Sequence, residues 1–319
     1  MIRVLSLAWI PLPLPVRILL LIGIAVCLFK LLRWLYEGLP EEILRSLVKF
    51  WDRLFLCLTW IFTGATILAL GFILFHILSN GIRHLVAPGL FAVQVTLGDI
   101  SMFPAIVSTV LMVVIVLAIS VPLGMFTAVY LVEYVKTGSR FVTIIRSAAE
   151  ILAGIPSIVY GLFGMMFFRV FLGFGYSILA GSLTMSIMML PLIMRTTEEA
   201  LKSVPDSFRE GSFALGAGKL RTVFRIILPS AMPGILAGVI LSIGRVVGES
   251  AALIFTAGTI LQIPSSLFDS ASTLTVHMWR LSNYGRYVNE TYATAVVLLM
   301  IVLLLNGISG LIARKFSKS

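Results

Sequence analysis

The sequence predicts an all-α, polytopic integral membrane protein with about six core transmembrane helices and an N-terminal hydrophobic segment. Two observations carry that class. Of 319 residues, 59% are apolar and only 12% charged. That is too little charge for the surface of a soluble domain, whereas each membrane-spanning helix needs about 20 apolar residues. The charged residues also gather between the apolar runs, and the basic ones favour one set of those intervals. The net charge of +10 therefore reflects orientation in a bilayer and not a nucleic-acid-binding face.

Residues 1–36 carry Pro11, Pro13 and Pro15, then the uncharged run Ile18–Phe29. The run is short for a span, but Arg17, Lys30 and Arg33 can snorkel and extend it. It reads as a membrane-embedded segment; the alternative is a helix lying in the interface, anchored by Trp9, Trp34 and Tyr36. Residues 37–53 predict a short amphipathic surface helix. Six spans follow, at about 54–78, 104–132, 145–170, 178–196, 231–258 and 292–313. Pro122, Gly154-Ile-Pro156, Pro191 and Gly244 interrupt several of them. Such breaks survive in a membrane only where other helices or a cavity satisfy the freed backbone, so spans two to five form the bundle interior. Gly161, Gly164 and Gly181 allow close helix contact. The interval 259–291, with Pro264 and Trp279, is a long outer segment, and 314–319 is a basic tail. The expected division is thus 1–53, 54–313 and 314–319. Cys27 and Cys57 lie in apolar runs without metal or disulfide spacing, which predicts packing roles. His76, His84 and His277 are scattered without ligand spacing, as interface or loop residues. No leader peptide is expected, because apolar spans direct their own insertion.

The longest polar interval, 198–229, is a loop between two spans. Val204-Pro205 suits a helix start with proline at the first helical position. Asp206 and Glu210 follow where carboxylates favour the helix dipole. Gly216 and Gly218 offer a left-handed stop, and a second short basic helix, Leu220 to Leu228, is expected to end at Pro229. Placing this loop in the cytoplasm puts Arg45, Lys49 and Arg53, then Lys136, Arg140 and Arg146, the loop's own basic residues, and Arg314, Lys315 and Lys318 on one side. Only Arg83, Arg169, Arg280 and Arg286 remain opposite, as the positive-inside rule requires.

Glu210, Gly211 and Ser212, then Gly216, Ile226, Leu228 and Pro229, match the pattern Glu-Ala-Ala, three residues, Gly, nine residues, Ile, any residue, Leu-Pro. The interval therefore resembles the loop of permease subunits of ABC importers, with Gly211-Ser212 in place of two alanines. The resemblance implies a type I importer permease fold. It also implies that this loop is a coupling helix seated on a separate ATPase subunit. No Gly-rich phosphate loop with its Lys and hydroxyl occurs, so ATP and Mg belong to that partner and this chain needs no cofactor.

Ionisable residues inside spans are costly and usually face a cavity or a partner. Arg245 and Glu249 are four apart within Gly244–Ser250, so they are expected to share a face and pair. Two readings stand: a structural ion pair, or an Arg245 that contacts an anion in transit with Glu249 orienting it. A guanidinium fork suits tetrahedral oxyanions. Arg195, near the cytoplasmic end of its span, either snorkels or joins the substrate pathway. Arg146 and Glu150, four apart, are expected to pair at the inner surface. No catalytic or metal-binding residue is expected.

Ile151–Gly164, Arg195–Leu201 and Gly238–Gly258 resemble the phosphate-specific permeases of the PstA type. Gly248-Glu-Ser-Ala-Ala252 stands where that family has Gly-Glu-Thr-Ala-Pro. The resemblance implies inward phosphate transport across the cytoplasmic (inner) membrane of a prokaryote. The implied partners are a PstC-type permease, two ATPase copies and an extracytoplasmic phosphate-binding protein, with no nucleic acid. The alternatives are a permease for sulfate or molybdate, the PstC-type subunit itself, or, from another class, a membrane-embedded enzyme or a channel.

Overall fold

The computed structural model describes residues 40–86, 89–93, 100–135, 138–285 and 287–317. Among them every regular element is helical. The predicted segment 1–36, with Cys27, lies outside the described residues. The chain divides into two units, Met1–Ile73 and Leu74–Ser319. Helix α1, Glu41–Gly81, crosses that division. From Glu41 the expected surface helix of 37–53 is simply the first turns of α1, because no Gly or Pro interrupts the run before Gly64. Trp60, Ile67, Leu68 and Cys57 are exposed on α1, as lipid-facing residues are, so the packing role expected of Cys57 is not seen among the described residues.

In the second unit, α2 spans Phe103–Val129 and widens into a π turn over Tyr130–Tyr134. Helix α3 is Arg140–Gly154 and α4 is Ser157–Gly164, the latter continued by a π turn over Met165–Phe171. Next come α5, Ile178–Lys202, and α6, Asp206–Ala214. Helix α7, Lys219–Thr222, passes through a π turn at Val223–Ile227 into α8, Leu228–Gly248. Helices α9, Ala251–Thr256, α10, Leu274–Tyr284, and α11, Val288–Ser317, complete the chain.

Five helical stretches among the described residues are long and apolar enough to cross a membrane, or six if α3 and α4 count as one broken span. The expected span at 145–170, with its interruption at Gly154-Ile-Pro156, is that pair, bent by 100°. Its cause is local. Proline disfavours the helical region for the residue before it, and Ile155 and Pro156 are extended, at ψ 130° and 142°. Pro229 does not stop the second loop helix. A proline ring clashes with the carbonyl four residues back, and the π turn ending at Ile227 moves that carbonyl aside. Lys219–Gly248 therefore runs as one stretch. Likewise α11 continues through the residues expected to form a tail from 314.

Helix α5 is central: 67% of its apolar stretch is buried, against 17% for α11. Its polar residues are small, and hydroxyls close onto the helix itself. Thr184 donates to the Ala180 carbonyl at 2.8 Å and Ser186 to that of Ser182 at 2.7 Å, which lets them sit in an apolar interior. Met185, Met189 and Ile193 of α5 meet Met112 and Val116 of α2 and Ile243 and Val247 of α8. The small residues act as expected. A Cβ at Gly161 would stand 2.9 Å from Ala252 Cα, and one at Gly164 would collide with Thr184.

His277, expected in a loop or interface, is fully buried on α10. This helix lies outside the membrane-spanning stretches. Burial, and then the Arg280 guanidinium 3.2 Å from Nδ1, push its pKa down from 6.5 to about 4. Between those values the unfolded chain takes up a proton that the folded chain refuses. Stability should therefore fall as pH drops from 6.5 toward 4, by about 3 kcal/mol in all, and then level off. Thermal unfolding of the detergent-solubilised protein should show that acid-side loss, and His277→Gln should remove it.

Candidate functional site

The loop between α5 and α8 is a two-helix knob. Pro205 stands just before α6, extended at ψ 142°, as its cap rather than its first residue. Gly216 is left-handed, φ 76°. Its N–H donates to Phe213 O at 2.9 Å and that of Ala217 to Ser212 O at 3.1 Å, the closing bonds of a glycine-terminated helix. Gly218 is extended instead, φ −73° and ψ 158°, and opens α7. Ser212 and Thr222, both buried, share a 2.8 Å hydrogen bond between the two helices. A small residue is thus needed at 212 for packing, and the hydroxyl adds a clamp that alanine would lack. Glu210 and Gly211 lie exposed on the surface of α6, while Ile226 and Leu228 are half-buried and Pro229 is exposed.

Sequence reasoning missed the knob's anchor. Arg209 is only 16% exposed and Glu133, from the π turn ending α2, only 8%. Arg209 Nη2 and Nε donate to Glu133 Oε1 at 2.8 and 3.2 Å. Nη2 also donates to Leu201 O at 3.0 Å. Nη1 donates to Val204 O at 2.9 Å and to Asp206 Oδ1 at 3.1 Å. The loop's many charges masked it, because sequence spacing does not join positions so far apart.

Above the knob, the charges of α3 and α5 pair between the two helices and, at Lys202–Glu198, along α5 itself. Arg146 binds Glu198 at 2.5 Å, Lys202 binds Glu198 at 2.6 Å, and Arg195 binds Glu150 at 2.7 Å. The expected Arg146–Glu150 pair is therefore replaced by two interhelical pairs. Glu198 is 7% exposed and neutralised twice, whereas Arg195 and Glu150 are half exposed. Removing a partner from a buried pair typically costs about 3–5 kcal/mol, and an exposed pair contributes about 0–1 kcal/mol. Glu198, not Arg195, is the structural member of this cluster.

The expected Arg245–Glu249 pair is also absent. Helix α8 stops at Gly248, and Glu249 is extended, φ −78° and ψ 131°. The one-turn spacing that would align the two side chains is lost. Glu249 Oε1 instead accepts the Ala252 N–H at 3.1 Å, capping α9. The Thr275 hydroxyl donates to the Val247 carbonyl at the end of α8. Arg245 is exposed and makes no hydrogen bond or ion pair among the described residues. Gly244 and Gly248 beside it face open space. Arg245 and Arg195 thus serve different surroundings: one is unpaired among the described residues, the other is held by α3.

Residues 120–318 match the model of the family described as binding-protein-dependent transport system inner membrane component. A probable ABC transporter permease protein of Bacillus subtilis, YqgI, is 39% identical over 54% of this chain and 62% of its own. The phosphate transport system permease protein PstA of Mycobacterium leprae is 42% identical over 52% of this chain and 54% of its own. PstA 2 of Mycobacterium bovis is 36% identical over 65% and 70%. The chain spans about half the length of the curated relatives it matches, as with the 54% of the Mycobacterium leprae protein. Among solved structures, a methionine ABC transporter, MetNI, in an inward-facing conformation superposes with a TM-score of 0.56 at 21% identity, covering 67% of this chain and 94% of that one. A bacterial alginate ABC transporter gives 0.55 at 16% identity, covering 82% and 99%. At these identities the structures speak for the fold alone.

Gly216→Val puts a β-branched side chain at φ 76°, which costs about 1–3 kcal/mol in strain. The knob should loosen and the amount of this protein in the membrane should drop. Gly211→Ala, in an exposed helical position with no neighbour within 4 Å, should be neutral or slightly stabilising. Quantitative blotting of membranes reads both.

Proposed function

The chain belongs to the family of binding-protein-dependent transport system inner membrane components, and from that premise we propose that it is the permease subunit that moves inorganic phosphate into the cytoplasm. The observation that carries the anion reading is Arg245. A guanidinium without an ion-pair partner among the described residues, about 24 Å along the helix from Pro229, is costly inside a bilayer unless it faces a water-filled path or a ligand. Its planar fork fits two oxygens of a tetrahedral oxyanion. The open space beside Gly244 and Gly248 leaves room for the ligand to approach. Likeness to PstA proteins supports phosphate among the oxyanions.

Glu249 orients the break rather than the substrate, since its carboxylate is engaged by the α9 backbone. The 198–229 knob, with Glu210, Gly211, Ser212, Gly216, Ile226, Leu228 and Pro229, is the surface for a separate ATPase subunit, which carries the ATP and Mg. A PstC-type permease and an extracytoplasmic phosphate-binding protein complete the assembly. This chain makes and breaks no covalent bond in the cycle.

Arg245 has no hydrogen-bond or ion-pair partner to strand among the described residues, so Arg245→Gln should assemble at the normal level while phosphate uptake falls by at least about tenfold. Arg245→Lys should stay well below the unaltered protein, because a point charge replaces a fork. Uptake is measured with labelled phosphate, sulfate and molybdate against the quantity of complex. Preference for sulfate or molybdate in the unaltered protein transfers the substrate assignment; near-normal uptake by both variants removes Arg245 from the pathway.

A further inference from the structure

We propose that Arg209 and Glu133 form the mechanical joint through which the 205–229 knob moves the membrane helices. Arg209 is a positioning residue: it touches no substrate, and it locks α6 to the ends of α2 and α5. The proposal rests on the reading of the knob as the ATPase surface.

A guanidinium offers five N–H donors in a fixed plane. Here all five are used, two on Glu133, two on the Leu201 and Val204 carbonyls and one on Asp206. The two carbonyls come from the last turn of α5 and the residues beyond it. Carbonyls at a helix end lack intrahelical partners and carry the negative end of the dipole, so the cation closes that end. Glu133 belongs to the π turn that ends α2. One side chain of α6 therefore holds two membrane helices at once, and it does so out of solvent.

A second contact grips the same end of α2 from the other arm of the knob. Lys219 Nζ, on α7, lies 5.3 Å from the centre of the Tyr134 ring, within the range of a cation–π interaction. Beneath these contacts Leu131 of the π turn after α2, Leu201 of α5, Val204 just beyond it, and Val223 and Ile227 of the knob belong to one buried cluster. A knob merely tethered at its two chain ends would pivot when pushed. This one, pinned to α2 and α5 by a saturated guanidinium, shifts only if those helices shift with it.

The test uses the whole reconstituted complex with its ATPase, with Cys27 and Cys57 changed to Ser and spin labels at Ser207→Cys on α6 and Phe126→Cys on α2. In the otherwise unaltered chain, the distance distribution should be narrow and the same without nucleotide and with ATP bound. In Glu133→Gln it should broaden and shift with ATP. Phosphate moved per ATP hydrolysed should fall on the order of tenfold in Glu133→Gln and in Arg209→Gln, with ATP hydrolysis retained. Arg209→Lys should not restore it, because three donors cannot serve five positions. A nucleotide-dependent Ser207–Phe126 distance in the unaltered chain overturns the joint, as does a normal transport-to-hydrolysis ratio in Glu133→Gln. If no ATPase copurifies, the docking reading fails instead. If the unaltered complex moves no phosphate, the substrate assignment fails while the distance measurement still decides the joint.

Discussion

A helix broken inside a bilayer frees N–H and C=O groups that lipid cannot satisfy, and the arrangement of this chain follows from how those groups are met. Two helix breaks among the described residues raise this demand, at Ile155-Pro156 and at Glu249-Ser250. At the first, the Tyr160 hydroxyl reaches back to the Leu152 carbonyl at 2.8 Å, and the Ile155 N–H bonds the same carbonyl at 3.1 Å. At the second, the Glu249 carboxylate takes an N–H of α9 and the Thr275 hydroxyl serves the Val247 carbonyl of α8. The breaks are also neighbours, because Gly161 of α4 packs on Ala252 of α9. Each break is thus met by side chains, Tyr160 at the first and Glu249 and Thr275 at the second.

The same logic governs the inner end. The carbonyls left by the end of α5 are closed by Arg209, and the charges of α3 and α5 cross-pair as Arg146–Glu198 and Arg195–Glu150. The knob end is therefore held by buried or half-buried polar contacts, and the apolar stretches by apolar side chains and small residues. Arg245 stands outside both systems, which is why its chemistry is assigned to a ligand.

Hydropathy made the spans legible, since an apolar run of membrane length has one stable solution in lipid. Loop spacing made the knob legible, because Gly216 demands a left-handed backbone and Ser212 a small side chain. Charge partners were less legible. The i, i+4 rule joined Arg146 to Glu150 and Arg245 to Glu249. The first pairing lost to α5, whose Arg195 and Glu198 present opposite charges to the same face of α3. The second failed because the helix ends between its members. Local spacing gives what one helix can do alone; which charges meet depends on a neighbour far along the chain, as with Glu133 and Arg209. Proline was legible as a perturbation, not as an outcome. Pro156 bends its span by 100°, whereas Pro229 is absorbed by a π turn.

That absorption has a geometric corollary. Because Lys219–Gly248 runs on past Pro229, the knob and Arg245 lie on one rod about 45 Å long. Taking Pro229 as the fulcrum, the arm to Arg245 is about 24 Å, so a tilt of about five degrees displaces that guanidinium by about 2 Å. This is a large fraction of a hydrogen-bond length. The rod has the gearing of a lever whose short arm is at the membrane surface and whose long arm ends in the bilayer.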